Sequence, residues 1–159
     1  LKLNEKEWKF VVSNSPIFAM DLIIFSKKNG VLMGKRNNNP AKGFYFVPGG
    51  RIYKNEERKL GFKRISFNEI GVTLNLMDSS LIGIFEHFYD VSKWPQEEIS
   101  THYIVEARVI NTNFEIEKKI TNSDSQHDNF IWIKNDYINK IKVHPYCKPY
   151  LNFVFSGKL

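Results

Sequence analysis

The chain has 159 residues, of which 42% are hydrophobic and 25% charged, so it is predicted to form one globular domain over residues 1–159. The net charge of +6 favours an anionic partner, but the basic residues are scattered, which argues against nucleic acid. The lone Cys147 excludes an internal disulfide, the first ten residues are too charged for a signal peptide, and Asp21 interrupts the longest apolar run. We therefore expect a cytoplasmic protein with no membrane partner.

Apolar runs and turn residues predict alternating elements without internal repeats. The predicted strands cover residues 17–26, 31–35, 44–47, 80–89, 101–110 and 129–133. Helices are predicted over 4–13, over a stretch that follows Pro48 and ends near Ile70, and in the tail of the chain. Because strands and helices alternate in mixed order, the fold class is predicted to be α/β, with helices packed on a sheet.

The helix that ends near Ile70 is predicted to be covered on more than one side, because its apolar residues share no single stripe at about 100° per residue. These residues are Leu60, Phe62, Ile65, Phe67 and Ile70. Glu69 projects within roughly 40° of Phe62 and Ile65. A carboxylate on that flank needs a neutralising partner. The helical geometry alone leaves two partners open, a metal ion or a basic side chain.

Spacing within the same helix is more specific. From Gly50 the chain runs Gly50-x5-Glu56-x7-Arg64-Ile65-Ser66-Phe67-Asn68-Glu69-Ile70-Gly71-Val72. This resembles the Nudix box, Gly-x5-Glu-x7-Arg-Glu-U-x-Glu-Glu-x-Gly-U, where U is a bulky apolar residue. Ile65 and Asn68 replace two glutamates, and Ser66 stands at an apolar position. The resemblance implies a Nudix-type α/β/α sandwich with a central mixed β-sheet, in which a loop–helix–loop places carboxylates on Mg²⁺.

Outside the box, the chain resembles the GDP-mannose mannosyl hydrolase group of this family, which also lacks these two glutamates. The similar segments are 16–21, GKRNNNPAKGFYFVPGGR (34–51), EHFYD (86–90), THY (101–103) and DSQHDNFIWI (124–133). The resemblance implies hydrolysis of GDP-mannose or GDP-glucose to GDP and free sugar. Water would attack the anomeric carbon with inversion. The resemblance also implies one Mg²⁺ or Mn²⁺ per site, a GDP-sugar substrate and a homodimer.

The resemblance implies a metal site built from oxygen donors, which Mg²⁺ prefers. The donors are the Gly49 carbonyl, the Glu69 carboxylate and the Gln126 side chain. His127 is implied as the base that takes a proton from water, since histidine titrates near working pH. Taken alone, a histidine in this polar run is typical of a surface side chain.

The remaining implied site residues face the substrate. Arg36 and Arg51, expected on two loops, and Arg64 are assigned to the diphosphate, which guanidinium groups match bidentately. For Arg64, an ion pair with Glu56 is an equally good interpretation. Further expectations are Asp21 beside the anomeric carbon, His87 on a sugar hydroxyl, and Tyr103 as a leaving-group donor contributed across a dimer interface. Each of these three is also compatible with a structural role, and Phe44, Tyr45 and Phe46 are expected in the core.

Two other functions stay open. One is an ordinary Nudix pyrophosphatase, which cleaves a nucleoside diphosphate derivative at phosphorus. The missing carboxylates at Ile65 and Asn68 argue against it, because that chemistry recruits more acids and metals. The other is a non-catalytic nucleotide- or RNA-binding module, against which Glu69 and the pair Gln126-His127 argue.

Overall fold

The computed structural model describes residues 3–121 and 127–157, without the side chains of 127–129. The helices are α1 (Glu5–Asn14), α2 (Arg58–Ile70), α3 (Phe114–Glu117) and α4 (Lys148–Phe155). The strands are β1 (Ile17–Ser26), β2 (Gly30–Arg36), β3 (Tyr45–Phe46), β4 (Gly49–Arg51), β5 (Ser80–Tyr89), β6 (Thr101–Asn111) and β7 (His127–Ile133). Short 3₁₀-helices cover Leu76–Asp78, Asn135–Lys140 and Pro145–Cys147. No helix within these described ranges has the length and apolar character needed to cross a membrane.

All seven strands form one mixed sheet in the order β3-β2-β1-β6-β5, with β4 paired to β1 and β7 paired to β2. Strands β1 and β6 are parallel, from Ile17 opposite Tyr103 onwards, and the other pairs are antiparallel. Strand β1 changes partner along its length. Its last residues pair with β2, whereas Asp21 lies opposite Gly49 of β4. The start of β2 and the whole of β4 therefore lie on the same side of β1.

The two faces of the sheet are covered by different helices, because alternate residues of β1 point to opposite faces. On one face, residues Phe62, Ile65 and Ile70 of α2 cluster with Met20, Leu22 and Ile24 of β1. On the other face, residues Tyr150, Leu151 and Val154 of α4 cluster with Ile23, Val31 and Met33. The predicted α/β/α sandwich with a central mixed sheet is confirmed.

The segment after Pro48 departs from the sequence expectation. Proline and glycine weaken strand propensity, yet Gly49–Arg51 pairs with β1 as strand β4. Glycine permits this close approach, because a Cβ at Gly49 would lie 2.6 Å from Asp21 Oδ1. The expectation that Arg36 and Arg51 lie on loops is therefore wrong, since they end β2 and β4.

Helix α2 also differs from its expected environment. Leu60 and Phe67 are 51% and 57% exposed, so the helix is not covered all round, and these two side chains face away from the sheet. Ser66, the polar residue at an apolar position of the box, is buried. Its hydroxyl donates to the Lys63 carbonyl at 3.0 Å and accepts from the Leu74 N–H at 2.9 Å. Because both contacts are local, the hydroxyl is buried without losing its hydrogen bonds.

Candidate active site

A cleft of ≈ 650 Å³ lies beside β1, where its partner changes from β2 to β4. Eight of the ten expected site residues line it, namely Asp21, Arg36, Gly49, Arg51, Arg64, Glu69, His87 and Tyr103. Of the other two, Gln126 lies outside the described residues, and only the backbone of His127 is described, paired opposite Arg36. Residues that are far apart in the chain therefore meet around one cleft.

Asp21 is 7% exposed and accepts a hydrogen bond of 3.0 Å from the Tyr150 hydroxyl. Burial disfavours a charged carboxylate and raises the pKa of Asp21 to about 7, although the Tyr150 hydrogen bond and the charge of Arg36 oppose this rise. Strand pairing holds the carboxylate next to Gly49. The fold thus places a buried acid in the wall of the cleft.

His87, on β5, is 3% exposed, and its Nε2 atom lies 3.1 Å from the same Tyr150 hydroxyl. The imidazole stacks on the Tyr146 ring with a centroid distance of 4.2 Å. Burial, and secondarily the neighbouring His144, lowers the pKa of His87 to about 4. The ring is therefore neutral near pH 7, with one ring nitrogen as a donor and the other as an acceptor.

Arg64 makes the ion pair that the sequence left open. Its Nε and Nη2 atoms lie 2.6 and 2.7 Å from the two carboxylate oxygens of Glu56. Nη2 also donates to the Arg51 carbonyl at 2.8 Å, and the guanidinium carbon lies 3.9 Å from the centre of the Tyr53 ring. The hydrogen bonds raise the pKa of Arg64 and lower that of Glu56. Arg64 thereby joins α2 to the end of β4.

Arg51 and Arg36 present further positive charge to the cleft. The Arg51 guanidinium lies 3.8 Å from the centre of the Trp8 ring, and burial lowers its pKa. Arg36 donates from Nη2 to Asn38 Oδ1 at 3.1 Å, while its buried Nε has no hydrogen-bond partner within the described part of the chain. A buried donor of this kind favours an added acceptor. Two guanidinium groups in one cleft suit a phosphate-bearing ligand.

Tyr103, on β6, is paired with Ile17 of β1 and His87 of β5. Burial raises the pKa of its hydroxyl, although Arg36 and Arg51 oppose that rise. The hydroxyl is therefore protonated near neutral pH and available as a donor. Tyr103 lines the cleft of its own chain, and its contribution across a dimer interface stays a prediction.

Two of the three residues expected to hold a divalent metal, Gly49 and Glu69, line the cleft. Glu69 is 5% exposed on the last turn of α2, and Gly49 lies on β4. Position 65 holds a buried isoleucine packed under Gly50, and position 68 holds an asparagine. Among residues 3–121 and 127–157, no three His, Cys, Asp or Glu side chains gather as a metal cluster. One carboxylate with neutral oxygen donors leaves room for water and phosphate oxygens around Mg²⁺.

Several residues that shape the cleft have no short-range sequence signal. Tyr150 is 129 positions from Asp21 along the chain, and no spacing rule connects them. Trp8 and Trp94 also line the cleft, and Trp94 Nε1 donates to Glu5 of α1 at 2.9 Å. The loop over residues 91–100 is therefore tied to α1 at the edge of the cleft. Of the aromatic residues expected in the core, Phe46 is buried but also lines the cleft.

Comparisons with known proteins identify the family. The family model described as NUDIX domain matches residues 16–149. The low-salt glycan biosynthesis protein Agl8 of Haloferax volcanii is 35% identical over 153 residues, which cover 95% of this chain and 90% of that protein.

Solved structures share the fold. The NUDIX domain of Shewanella oneidensis NrtR, complexed with ADP ribose, has a TM-score of 0.69 at 11% identity, over 99% of this chain and 100% of that one. The MutT protein of Methanosarcina mazei has a TM-score of 0.63 at 17% identity, over 91% of this chain and 96% of that one. Since the family model covers most of the chain, the chain belongs to the Nudix family.

Proposed function

We propose that this chain hydrolyses the glycosyl carbon–oxygen bond of GDP-mannose and releases GDP and free mannose. One observation carries the proposal: a buried acid, Asp21, and a neutral His87 share a hydroxyl partner in a cleft that three arginines also line. Membership of the Nudix family supports a hydrolase, and a 35% identical relative named for glycan biosynthesis supports a nucleotide-sugar substrate.

The positive side chains would stabilise the leaving group. Arg36, Arg51 and Arg64 would bind the diphosphate, and the Tyr103 hydroxyl would donate to an oxygen that becomes negative as the bond breaks. Glu69, the Gly49 carbonyl and Gln126 would hold Mg²⁺, which supplies positive charge to the diphosphate when bound. With Ile65 and Asn68 in place of two acids, α2 contributes little negative charge to oppose the leaving GDP.

The sugar side of the reaction needs a water, a base and stabilisation of positive charge. The water oxygen would attack the anomeric carbon, the bond to the β-phosphate oxygen would break, and GDP would leave with the electron pair. His127, whose backbone is opposite Arg36, would take the proton of the water. Ionised Asp21 would stabilise the oxocarbenium-like transition state. A homodimer, Mn²⁺ as the metal and GDP-glucose as a second substrate stay predictions.

Phosphorus NMR of a reaction in ¹⁸O-labelled water tests the bond that breaks. Attack at carbon gives unlabelled GDP as the sole phosphorus product and places the label in mannose. GMP and mannose 1-phosphate, with label in one phosphate, would identify the pyrophosphatase alternative. Absence of turnover together with Mg²⁺-independent RNA binding would favour the non-catalytic module. If GDP is the product, proton NMR of the mannose at early times would report inversion at the anomeric carbon.

Two substitutions test the proposed roles. His127→Gln is expected to lower kcat by about 10²–10⁴ with little change in KM, because the base acts on the water. Glu69→Gln is expected to raise the Mg²⁺ concentration required for half-maximal activity. Glu57→Gln, at an exposed carboxylate just before α2, is the matched control and should leave both properties unchanged. Unchanged kcat in His127→Gln would remove His127 from the mechanism.

A further inference from the structure

Tyr150, a residue of α4, joins two polar residues of the cleft from behind. Its hydroxyl lies 3.0 Å from Asp21 Oδ2 and 3.1 Å from His87 Nε2. Tyr150 is 0% exposed, and its two partners are also buried. Hydrogen bonds among these groups are therefore shielded from competing water, and an unmade bond would be costly.

The hydrogen atoms available to these groups determine the direction of both bonds. Tyrosine has one hydroxyl hydrogen, and an ionised carboxylate only accepts, so the Tyr150 hydroxyl donates to Asp21. Its oxygen then meets His87 Nε2, which must carry the ring hydrogen if the contact is to be a hydrogen bond. With Nε2 unprotonated, two acceptors would face each other at 3.1 Å in a buried place.

Neighbouring rings limit the other ways in which this arrangement could relax. Tyr146 stacks on His87 with an interplanar angle of 1°, and Phe85 packs edge-on against Tyr150 at a centroid distance of 5.0 Å. Neutral imidazole has a single ring hydrogen, so a hydrogen on Nε2 leaves Nδ1 as an acceptor. The tautomer of His87 therefore depends on the Tyr150 hydroxyl.

We infer that Tyr150 is a positioning residue, which holds His87 in the Nε2–H tautomer and orients the Asp21 carboxylate. His87 would then accept a hydrogen bond from a substrate hydroxyl through Nδ1. This last consequence rests on the proposed function, whereas the tautomer of His87 in the free protein does not. Tyr150 does not line the cleft, and it acts on the site through Asp21 and His87, which do.

Ring nitrogen NMR of ¹⁵N-histidine protein at pH 8.5, without substrate, tests the inference. In the wild type, His87 should show a protonated Nε2 and an unprotonated Nδ1, with the resonances assigned by comparison with His87→Asn. Tyr150→Phe keeps the ring and should move both shifts towards the averaged values of mixed tautomers. Tyr146→Phe is the matched control, because its hydroxyl bonds the Phe88 backbone while its ring stacks on His87. It should retain the wild-type pattern.

Two results would overturn the inference. One is an Nδ1–H tautomer in the wild type, which can be read even if Tyr150→Phe does not fold. The other is an unchanged His87 tautomer in folded Tyr150→Phe. Kinetics add an independent readout: with GDP-mannose, Tyr150→Phe is expected to lower kcat roughly tenfold, the effect of one lost hydrogen bond to a charged group. Absence of GDP-sugar turnover would reject the proposed function and leave the tautomer result intact.

Discussion

The ion pair between Glu56 and Arg64 is expected to stabilise the fold measurably. Nε and Nη2 of Arg64 lie 2.6 and 2.7 Å from the two carboxylate oxygens, and the side chains are 25% and 14% exposed. A hydrogen bond to a charged group contributes about 1.5–3 kcal/mol. Partial exposure reduces the effect of two such bonds, so we expect a coupling free energy of about 2 kcal/mol between the two residues.

A double-mutant cycle provides the measurement. The free energy of unfolding is determined by urea titration for the wild type, Glu56→Gln, Arg64→Gln and the double variant. The control cycle uses Glu57 and Lys59, which also form an ion pair at 2.8 Å but are 63% and 64% exposed. The coupling free energy of this exposed pair should be zero within experimental error. A Glu56–Arg64 coupling no larger than that of the control would refute the argument that burial and bidentate geometry make this pair stabilising.

Two further predictions concern β4 and pH. Gly49→Ala would place a Cβ 2.6 Å from Asp21 Oδ1, so we expect about 1–3 kcal/mol of destabilisation in urea titrations. The Cβ added in Gly50→Ala would contact only the Ile65 side chain, at 3.2 Å. Equal losses of unfolding free energy in both variants would contradict the steric explanation. Burial lowers the pKa of His87 to about 4, so the unfolded chain takes up a proton first as the pH falls below about 6.5. Between pH 7 and 4.5 the wild type should therefore lose about 2 kcal/mol more stability than His87→Asn; equal losses would exclude this linkage.

Much of the backbone follows from local chemistry. The apolar run of β1 and the turn before Gly30 predict the first hairpin, because side-chain alternation and turn propensity act over a few residues. The helix ends at Gly71 with a positive φ of 72°, a conformation that glycine adopts readily. The spacing of the box also predicts that Glu56 and Arg64 can pair, since Glu56 lies just before α2 and Arg64 lies within it.

Other features of the site depend on the order of strands. Gly49–Arg51 becomes a strand because β1 offers a free side next to Asp21, whereas the two glycines and the preceding Pro48 give no strand signal. The helical periodicity of α2 likewise does not reveal that Leu60 and Phe67 face away from the sheet.

By itself, the sequence determined the fold class and the Nudix box, and the family resemblance implied eight of the residues that line the cleft. The fold class rests on short-range periodicity and the box on fixed spacing, neither of which requires tertiary contacts, whereas the cleft residues rest on the resemblance to a known family. Only the tertiary structure decided that Arg64 pairs with Glu56 and that Asp21 and His87 share the hydroxyl of Tyr150. The physical reason is that hydrogen-bond partners and burial depend on which elements pack together, and 129 residues separate Asp21 from Tyr150.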